Sequence, residues 1–271
     1  MKTVKIAILG AGNIGMAITN GLIGSGIYKP GQITVTRRNK ELLLPLMDKG
    51  IGVTGDDSEA VKNSSVIIIA VQPGQLNGLL DEIKDVVNPD IHTIISVVSG
   101  ATLAAIGKKL PAGSHIVRAM PNTAIAIRES MTCLSSGQGN EDALKCAEEI
   151  FETLGTTLII NEELMIPATA LCACGIAFFL RAIRAASQGG IEIGFHSEIA
   201  LKMAAQTAKG AAALLLTMGD HPESEVDKVT TPRGCTISGL NQMEHSGFSS
   251  AMIKGIVTSA EKAALLYKNS D

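Results

Sequence analysis

The sequence predicts an α/β chain: an amino-terminal doubly wound sheet followed by an all-helical carboxyl-terminal half. Three observations predict it. The element Gly10-Ala11-Gly12-Asn13-Ile14-Gly15, spaced G-x-G-x-x-G, directly follows the apolar run ending at Leu9 and opens a helical pattern at Ile14, Ala17, Ile18 and Leu22. Short β-branched runs then alternate with helical stretches as far as Asn161, the order of a sheet wound on both faces. From Leu164 onward the periodicity is helical only. The boundary is therefore expected near residue 163, giving domains 1–163 and 164–271.

In chain order, strands are expected at 4–9, 32–36, 52–54, 66–71, 93–98, 115–120, 131–134 and 156–160. Helices are expected at 14–25, 41–49, from 57 to 62, 76–87, 102–110 and 142–154. Gly26 marks the end of the first helix. The run Val66–Val71 is apolar throughout and rich in β-branched residues, as an inner strand covered on both faces is. It leads through Gln72-Pro73 into a loop at the carboxyl edge, where ligands sit in sheets of this kind. The carboxyl-terminal half reads as helices at 164–189, 196–218, 222–229, 236–245 and 248–268.

The glycine element points to a dinucleotide. Gly10 permits a sharp turn, Gly12 lets the backbone approach a pyrophosphate, and Gly15 lets the helix pack on the strand. The helix N-terminus then offers unpaired N–H groups and a positive dipole end to the phosphates. After the second strand a free ribose 2′-OH is usually met by Asp or Glu. Here the residues are Thr36-Arg37-Arg38-Asn39, and two guanidiniums suit a 2′-phosphate. NADP(H) is thus the expected cofactor, with NAD(H) as the alternative.

Composition narrows the function further. The net charge is -3, aromatic residues make up 3% and Trp is absent, which argues against base stacking in a basic groove. Five cysteines, an odd number with no C-x-x-C, support neither a disulfide framework nor a zinc site, and reduced thiols in a cytoplasm are expected. No signal peptide is visible in the first residues. The nearly all-apolar stretch Leu164–Leu180 falls short of a usual membrane span and contains Pro167. It is expected to be a helix buried in a core or a subunit interface, and the apolar fraction of 46% also points to a large interface.

One loop in the helical half stands out, Val229-Thr230-Thr231-Pro232-Arg233-Gly234-Cys235-Thr236. If Thr236 N-caps the next helix, the N–H groups of Gly234, Cys235 and Thr236 face one point and form a small carboxylate site. The same residues would equally serve as an ordinary turn and cap. The five histidines lack metal spacing, and no triad or carboxylate pair is evident. Hydride transfer needs neither, since the cofactor carries the chemistry.

Along nearly its whole length the chain resembles the pyrroline-5-carboxylate reductase family. The likeness is carried by the glycine element, Ala70-Val71-Gln72-Pro73, Met120-Pro121-Asn122-Thr123 and Gln206-Thr207-Ala208-Lys209-Gly210. It continues through His221-Pro222, Val229-Thr230-Thr231-Pro232, Cys235–Leu240 and Glu244-His245-Ser246-Gly247-Phe248. The resemblance implies an NAD(P)H-dependent reductase that makes L-proline from 1-pyrroline-5-carboxylate. It implies a Rossmann-like domain and a helical domain that forms a homodimer or a ring of dimers. It also implies that Leu9 to Gly15, Arg37, Arg38, Asp57 and Ala70, Val71, Gln72 and Pro73 meet the cofactor. Gly234 and Cys235 amides would hold the substrate carboxylate, and the Thr236 hydroxyl would reach the ring nitrogen.

The chain departs from the family pattern at named places. Gln72 stands where Lys is usual, Gly74 where Gln is, Asp57 where Asn is, and Arg233 where Gly is. Cys172-Ala173-Cys174-Gly175-Ile176-Ala177-Phe178 replaces Ser-Gly-Ser-Gly-Pro-Ala-Tyr. These departures raise two alternatives: a related cyclic imine as substrate, or a weakly active NADP(H)-binding dimer that acts as a sensor.

Overall fold

The computed structural model describes residues 4–266, the side chains of Lys40 and Leu42 excepted. The chain forms two compact units, one made of the residues up to Cys174 with those from Ser259 onward, the other Gly175–Thr258.

The first unit is built on one sheet of eight strands: β1 (Ile6–Leu9), β2 (Ile33–Thr36), β3 (Gly52–Thr54), β4 (Val66–Ile69), β5 (Thr93–Ser96), β6 (His115–Met120), β7 (Ser130–Ser136) and β8 (Gly155–Ile159). Their spatial order is β3-β2-β1-β4-β5-β6-β7-β8. The chain starts mid-sheet, winds outward to β3, and returns past β1 to β4, the reversal that opens a crevice at the carboxyl ends of β1 and β4. All eight strands lie where the sequence predicts them. The expected doubly wound sheet has one departure: β7 pairs antiparallel with β6, and β8 follows β7 in parallel. The link between β6 and β7, residues 121–129, is too short for the crossover that a parallel partner needs.

Alternation along the inner strands divides the core. Ile6, Ile8, Val35, Ile68 and Ile95 point to one face, against Ile18 and Leu22 of helix α1 (Asn13–Gly24). Ile150 and Phe151 of a later helix, Glu141–Glu152, join the same cluster. Ala7, Leu9, Ile67, Ile69 and Ile94 point to the other face, against Leu76, Leu80 and Ile83 of the helix Pro73–Ile83. In chain order the remaining helices of this unit are α2 (Leu44–Met47), α3 (Asp57–Lys62), α4 (the Pro73–Ile83 helix), α5 (Leu103–Gly107), α6 (the Glu141–Glu152 helix) and α7 (Met165–Ala168).

Several helix ends differ from expectation. The helix expected at 41–49 is a 3₁₀ turn, Lys40–Leu43, followed by the single turn α2, with Pro45 among its first residues. Helix α4 starts at Pro73, earlier than expected, because proline suits the first helical position. It also stops at Ile83, where residues 84–86 leave the helix as a turn. The expected helix 164–189 is interrupted by a π-helical segment, Thr169–Cys174, between α7 and α8 (Gly175–Glu192).

The second unit holds most of α8, α9 (Ser197–Met218), α10 (Pro222–Lys228), α11 (Cys235–His245) and the first part of α12 (Phe248–Ala263). Residues 267 and 268 of the expected last helix lie outside the described residues. Helix α8 packs on α9, and a Cβ on Gly190 would meet the Ala200 Cβ at 3.1 Å, so the glycine sets that close approach. Ala200 is the one buried residue of α9, while Leu216 is 89% exposed and Ile193, just beyond α8, 78%. The stretch Leu164–Leu180 is therefore only partly covered by its own chain: Met165, Ala168, Ala170 and Gly175 are buried, Phe179 and Leu180 are not. By length and composition the helices Glu162–Glu192 and Ser197–Met218 could each cross a membrane. Apolar area of this extent needs a cover from outside the chain.

Candidate active site

The turn between β1 and α1 is shaped by two glycines that tolerate no side chain. Gly10 has φ +104°, and a Cβ there would lie 2.8 Å from the Ala70 carbonyl oxygen. A Cβ on Gly15 would lie 2.0 Å from the Gly10 carbonyl oxygen, so the first turn of α1 rests directly on the loop. Gly12 is different. It is the N-cap of α1, it is exposed, and a Cβ there would meet nothing within 4 Å. Helix α1 has no side-chain cap and no acidic residue in its first turn, which leaves its leading N–H groups to an anion from outside.

These amides open onto a cleft of about 700 Å³ at the carboxyl edge of the sheet. Of the residues expected at a cofactor, Gly10, Ala11, Gly12, Arg37, Arg38, Asp57, Ala70, Val71 and Gln72 line it. Leu9 is buried at the end of β1, Gly15 lies beneath Gly10, Asn13 and Ile14 begin α1, and Pro73 begins α4. These five support the wall without lining it. The cleft also takes in Thr36, Asn39, Gly55, Gly74, Gln75, Gly78, Leu79 and Glu82, which the sequence reading missed. Gly74 and Gly78 are four apart on α4, hence on one face, and that spacing was the available signal.

The two arginines are not equivalent. Arg37 Nη1 donates to the Ala11 carbonyl at 3.0 Å and so ties β2 to the glycine turn. The turn is further held by Ala11 N–H to the Thr36 carbonyl (3.0 Å) and Gly10 N–H to Thr36 Oγ1 (3.2 Å). Arg38 is exposed at the cleft and spans no such bond. Arg38→Ala should weaken NADPH binding roughly tenfold to a hundredfold, the range for one charge-assisted hydrogen bond, and leave NADH within about twofold. Arg37→Ala should weaken both, because it loosens the turn. Titration of each variant with each cofactor checks this.

Asp57 sits at the first position of α3, after the N-cap Asp56, whose side chain accepts from Glu59 N–H at 2.8 Å. Burial holds the Asp57 carboxyl above its ordinary value. A hydrogen bond from Thr36 opposes the shift, the Asp56 charge adds to it, and Arg38 opposes it. Its Oδ1 is buried with no partner.

The loop before α11 lies in the second unit. Gly234, not Thr236, is the N-cap of α11, with no side-chain cap bond. The chain turns two residues early because Arg233 adopts φ +60° and the Gly234 N–H closes onto the Thr231 carbonyl at 2.9 Å. A Cβ on Gly234 would lie 2.6 Å from Thr231 Oγ1. The Gly234 amide is thus engaged, whereas Cys235 and Thr236 occupy the first two positions of α11, whose N–H groups have no intrahelical acceptor. The Thr236 side chain is half-buried beside them. His221 caps α10, accepting from Glu223 N–H at 3.3 Å. Among the described residues no group of three His, Cys, Asp or Glu side chains could hold a metal.

All five cysteines are free. Cys172, in the π-helical segment, packs against the cluster that holds Cys133. Their mutual hydrogen bond pulls the Cys172 thiol down to about 7 and pushes the Cys133 thiol up. Nothing in the spacing of residues so far apart signalled this pair.

A reversed parallel sheet, an uncapped glycine turn and a cleft over it define a dinucleotide-binding oxidoreductase of the Rossmann type. The chain is 50% identical to pyrroline-5-carboxylate reductase 2 of Dictyostelium discoideum over 96% of its own length and 92% of that relative. It is 34% identical to pyrroline-5-carboxylate reductase of Methanosarcina acetivorans over 99% of itself and 100% of that relative. The chain belongs to the pyrroline-5-carboxylate reductase family. It is also 55% identical to pyrroline-5-carboxylate reductase 1 of Dictyostelium discoideum over 97% of its length, though it spans only 50% of that protein. Residues 5–100 match the family described as NADP oxidoreductase, coenzyme F420-dependent, and residues 162–266 match pyrroline-5-carboxylate reductase dimerisation. Among solved structures, that of Coxiella burnetii pyrroline-5-carboxylate reductase has a TM-score of 0.86 at 29% identity, covering 98% of this chain and 99% of that one. The Plasmodium falciparum pyrroline carboxylate reductase with NADP bound has the same fold, with a TM-score of 0.90 at 23% identity and coverage of 98% and 99%.

Proposed function

We propose that the chain catalyses the reduction of 1-pyrroline-5-carboxylate to L-proline with NADPH, and takes NADH less readily. The observation that carries this reading is the uncapped Gly10–Gly15 turn over its cleft, in a chain 50% identical over 96% of its length to a relative of that name. When bound, the reduced nicotinamide supplies the hydride. The chain's own residues supply position. The leading amides of α1 receive the pyrophosphate, Arg38 meets the 2′-phosphate, Arg37 and Thr36 brace the turn, and Ala70 to Pro73 border the nicotinamide end. The fit is supported by the open space around Gly12 and by the absence of an acidic residue from the first turn of α1.

In the helical domain, 164–271, the amides of Cys235 and Thr236 take the substrate carboxylate, with Gly234 shaping the turn before them. The Thr236 hydroxyl orients the ring nitrogen. No strong acid is needed from the chain, because the cyclic iminium arrives protonated. Losing such a hydrogen bond costs about 1–3 kcal/mol, so Thr236→Ala should slow turnover roughly tenfold to a hundredfold with NADPH affinity unchanged. Wild-type rates in that variant would remove Thr236 from the reaction. The uncovered apolar faces of α8 and α9 support a homodimer, or a ring of dimers, through this domain rather than a membrane span or a nucleic-acid partner. Free thiols throughout support a cytoplasmic setting.

The substituted segment Cys172–Phe178 favours one second reading, a related cyclic imine as the preferred substrate or cofactor binding with weak turnover. One experiment separates these. Purified protein is mixed with NADPH and a panel of cyclic imines, and loss of nicotinamide absorbance is followed with chromatography of the product. Fastest turnover on 1-pyrroline-5-carboxylate, with L-proline formed one for one, is the expected result. Preference for another imine, or tight NADPH binding with no turnover, would replace it.

A further inference from the structure

We propose that Asp57 is a specificity-determining residue of the dinucleotide cleft, its carboxyl opposing Arg38 in the choice between a 2′-phosphorylated and an unphosphorylated adenosine ribose. The inference rests on the reading of the cleft as the dinucleotide site. Three observations carry it. Asp57 and Arg38 both line the cleft and sense each other's charge, so an anion bound by Arg38 comes within the field of the carboxyl. Asp57 Oδ1 is buried without a hydrogen-bond partner, an acceptor for which a ribose hydroxyl is a fitting donor and a phosphate is not. Thr36 lines the same cleft as Asp57 and is tied to the glycine turn, its Oγ1 accepting the Gly10 N–H at 3.2 Å.

Burial raises the carboxyl above its usual value, and a neighbouring phosphate would raise it further. The other charged groups on the packed elements are few. Helix α3 carries Glu59 and Lys62 besides Asp56, and Glu59 accepts from Thr54 Oγ1 at 3.0 Å. Helix α4 carries Asp81, paired with Lys84 and Lys109, and Glu82, which lines the cleft. Arg37 and Arg38 follow β2, and β1 and β3 carry no charge. Discrimination against the 2′-phosphate should therefore be strongest at neutral pH, where Asp57 is ionised, and fade on acidification.

The test is direct binding of NADPH and NADH, without substrate, followed by nicotinamide fluorescence for the wild type and Asp57→Asn. Asparagine keeps an acceptor for Thr36 and removes the charge. At neutral pH the variant should bind NADPH about tenfold more tightly than the wild type, with NADH unchanged or weaker, the scale of one like-charge contact at the rim of a protein. The gap for NADPH should close as the pH is lowered through the carboxyl's titration. The free ligand's phosphate titration is common to both proteins and cancels in the ratio. Asp57→Ser serves as a second neutral variant should the first not fold. An equal change for both cofactors, no change, or a gap independent of pH overturns the inference while leaving the cleft a dinucleotide site. If the wild type binds neither cofactor, the reading of the cleft falls, and the inference with it.

Discussion

Gly15→Ala should abolish dinucleotide binding and lower the melting temperature by roughly 6 °C or more. The added methyl would lie 2.0 Å from the Gly10 carbonyl oxygen, which is backbone and cannot rotate aside. Either the first turn of α1 lifts off or the glycine turn moves, and the turn is itself anchored by bonds from Gly10 and Ala11 to Thr36 and from Arg37 to Ala11. Overpacking of this severity costs about 3 kcal/mol or more, which for a domain of this size is ~6–12 °C. Gly12→Ala is the informative contrast. Its methyl would enter open space at an exposed N-cap, so stability should hold within about 1 kcal/mol while NADPH affinity falls, since that space is where a pyrophosphate must come close. Melting curves and cofactor titrations of the two variants together separate a glycine needed by the fold from one needed by the ligand.

The second large effect is expected far from the glycine turn. Arg118, on β6, is 3% exposed and is paired with Glu162 at 3.1 Å, while its Nη2 is already without a partner. Burial lowers the affinity of this guanidinium for its proton, and the Glu162 charge works the other way. Glu162 also accepts the Leu103 N–H at 2.6 Å, so one carboxylate closes two elements onto the sheet just before α7. Glu162→Ala would strand a buried cation. Breaking a fully buried pair costs about 3–5 kcal/mol; with the Glu162 side chain a third exposed, about 2–3 kcal/mol is expected, or roughly 5–10 °C in melting temperature. Removing both charges, as Arg118→Met with Glu162→Leu, should recover part of that loss, because the desolvation cost of the pair disappears with its attraction while the Leu103 N–H still lacks its acceptor. Denaturant midpoints of the single and double variants measure this.

The sheet was legible because its signals are local. The inner strands β1, β4 and β5 show as short apolar runs, and the glycine spacing marks the crevice before any strand order is known. The side-chain assignments at the site were less legible, for physical reasons. Arg37 and Arg38 look alike in sequence and both line the cleft, but only Arg37 reaches the Ala11 carbonyl, a pairing across 26 residues that no local pattern reports. Thr236 has the side chain of an N-cap, yet Arg233 in the left-handed region turns the chain early and gives that place to Gly234. The buried Arg118 and the Cys133–Cys172 contact depend on pairings between remote residues, which periodicity does not report. The apolar stretch Leu164–Leu180 was legible as a helix for a core or a subunit interface, but apolar character alone does not say which of its residues, such as the exposed Phe179 and Leu180, its own chain leaves uncovered.

The proposed chemistry depends on a nucleotide being held by amides at the start of α1. A crystal structure of the protein grown with NADPH measures this most directly. The pyrophosphate should lie against the N–H groups following Gly12, with the 2′-phosphate beside Arg38 and the nicotinamide toward Ala70 to Pro73. A nucleotide bound elsewhere, in a protein that still turns over, would contradict it.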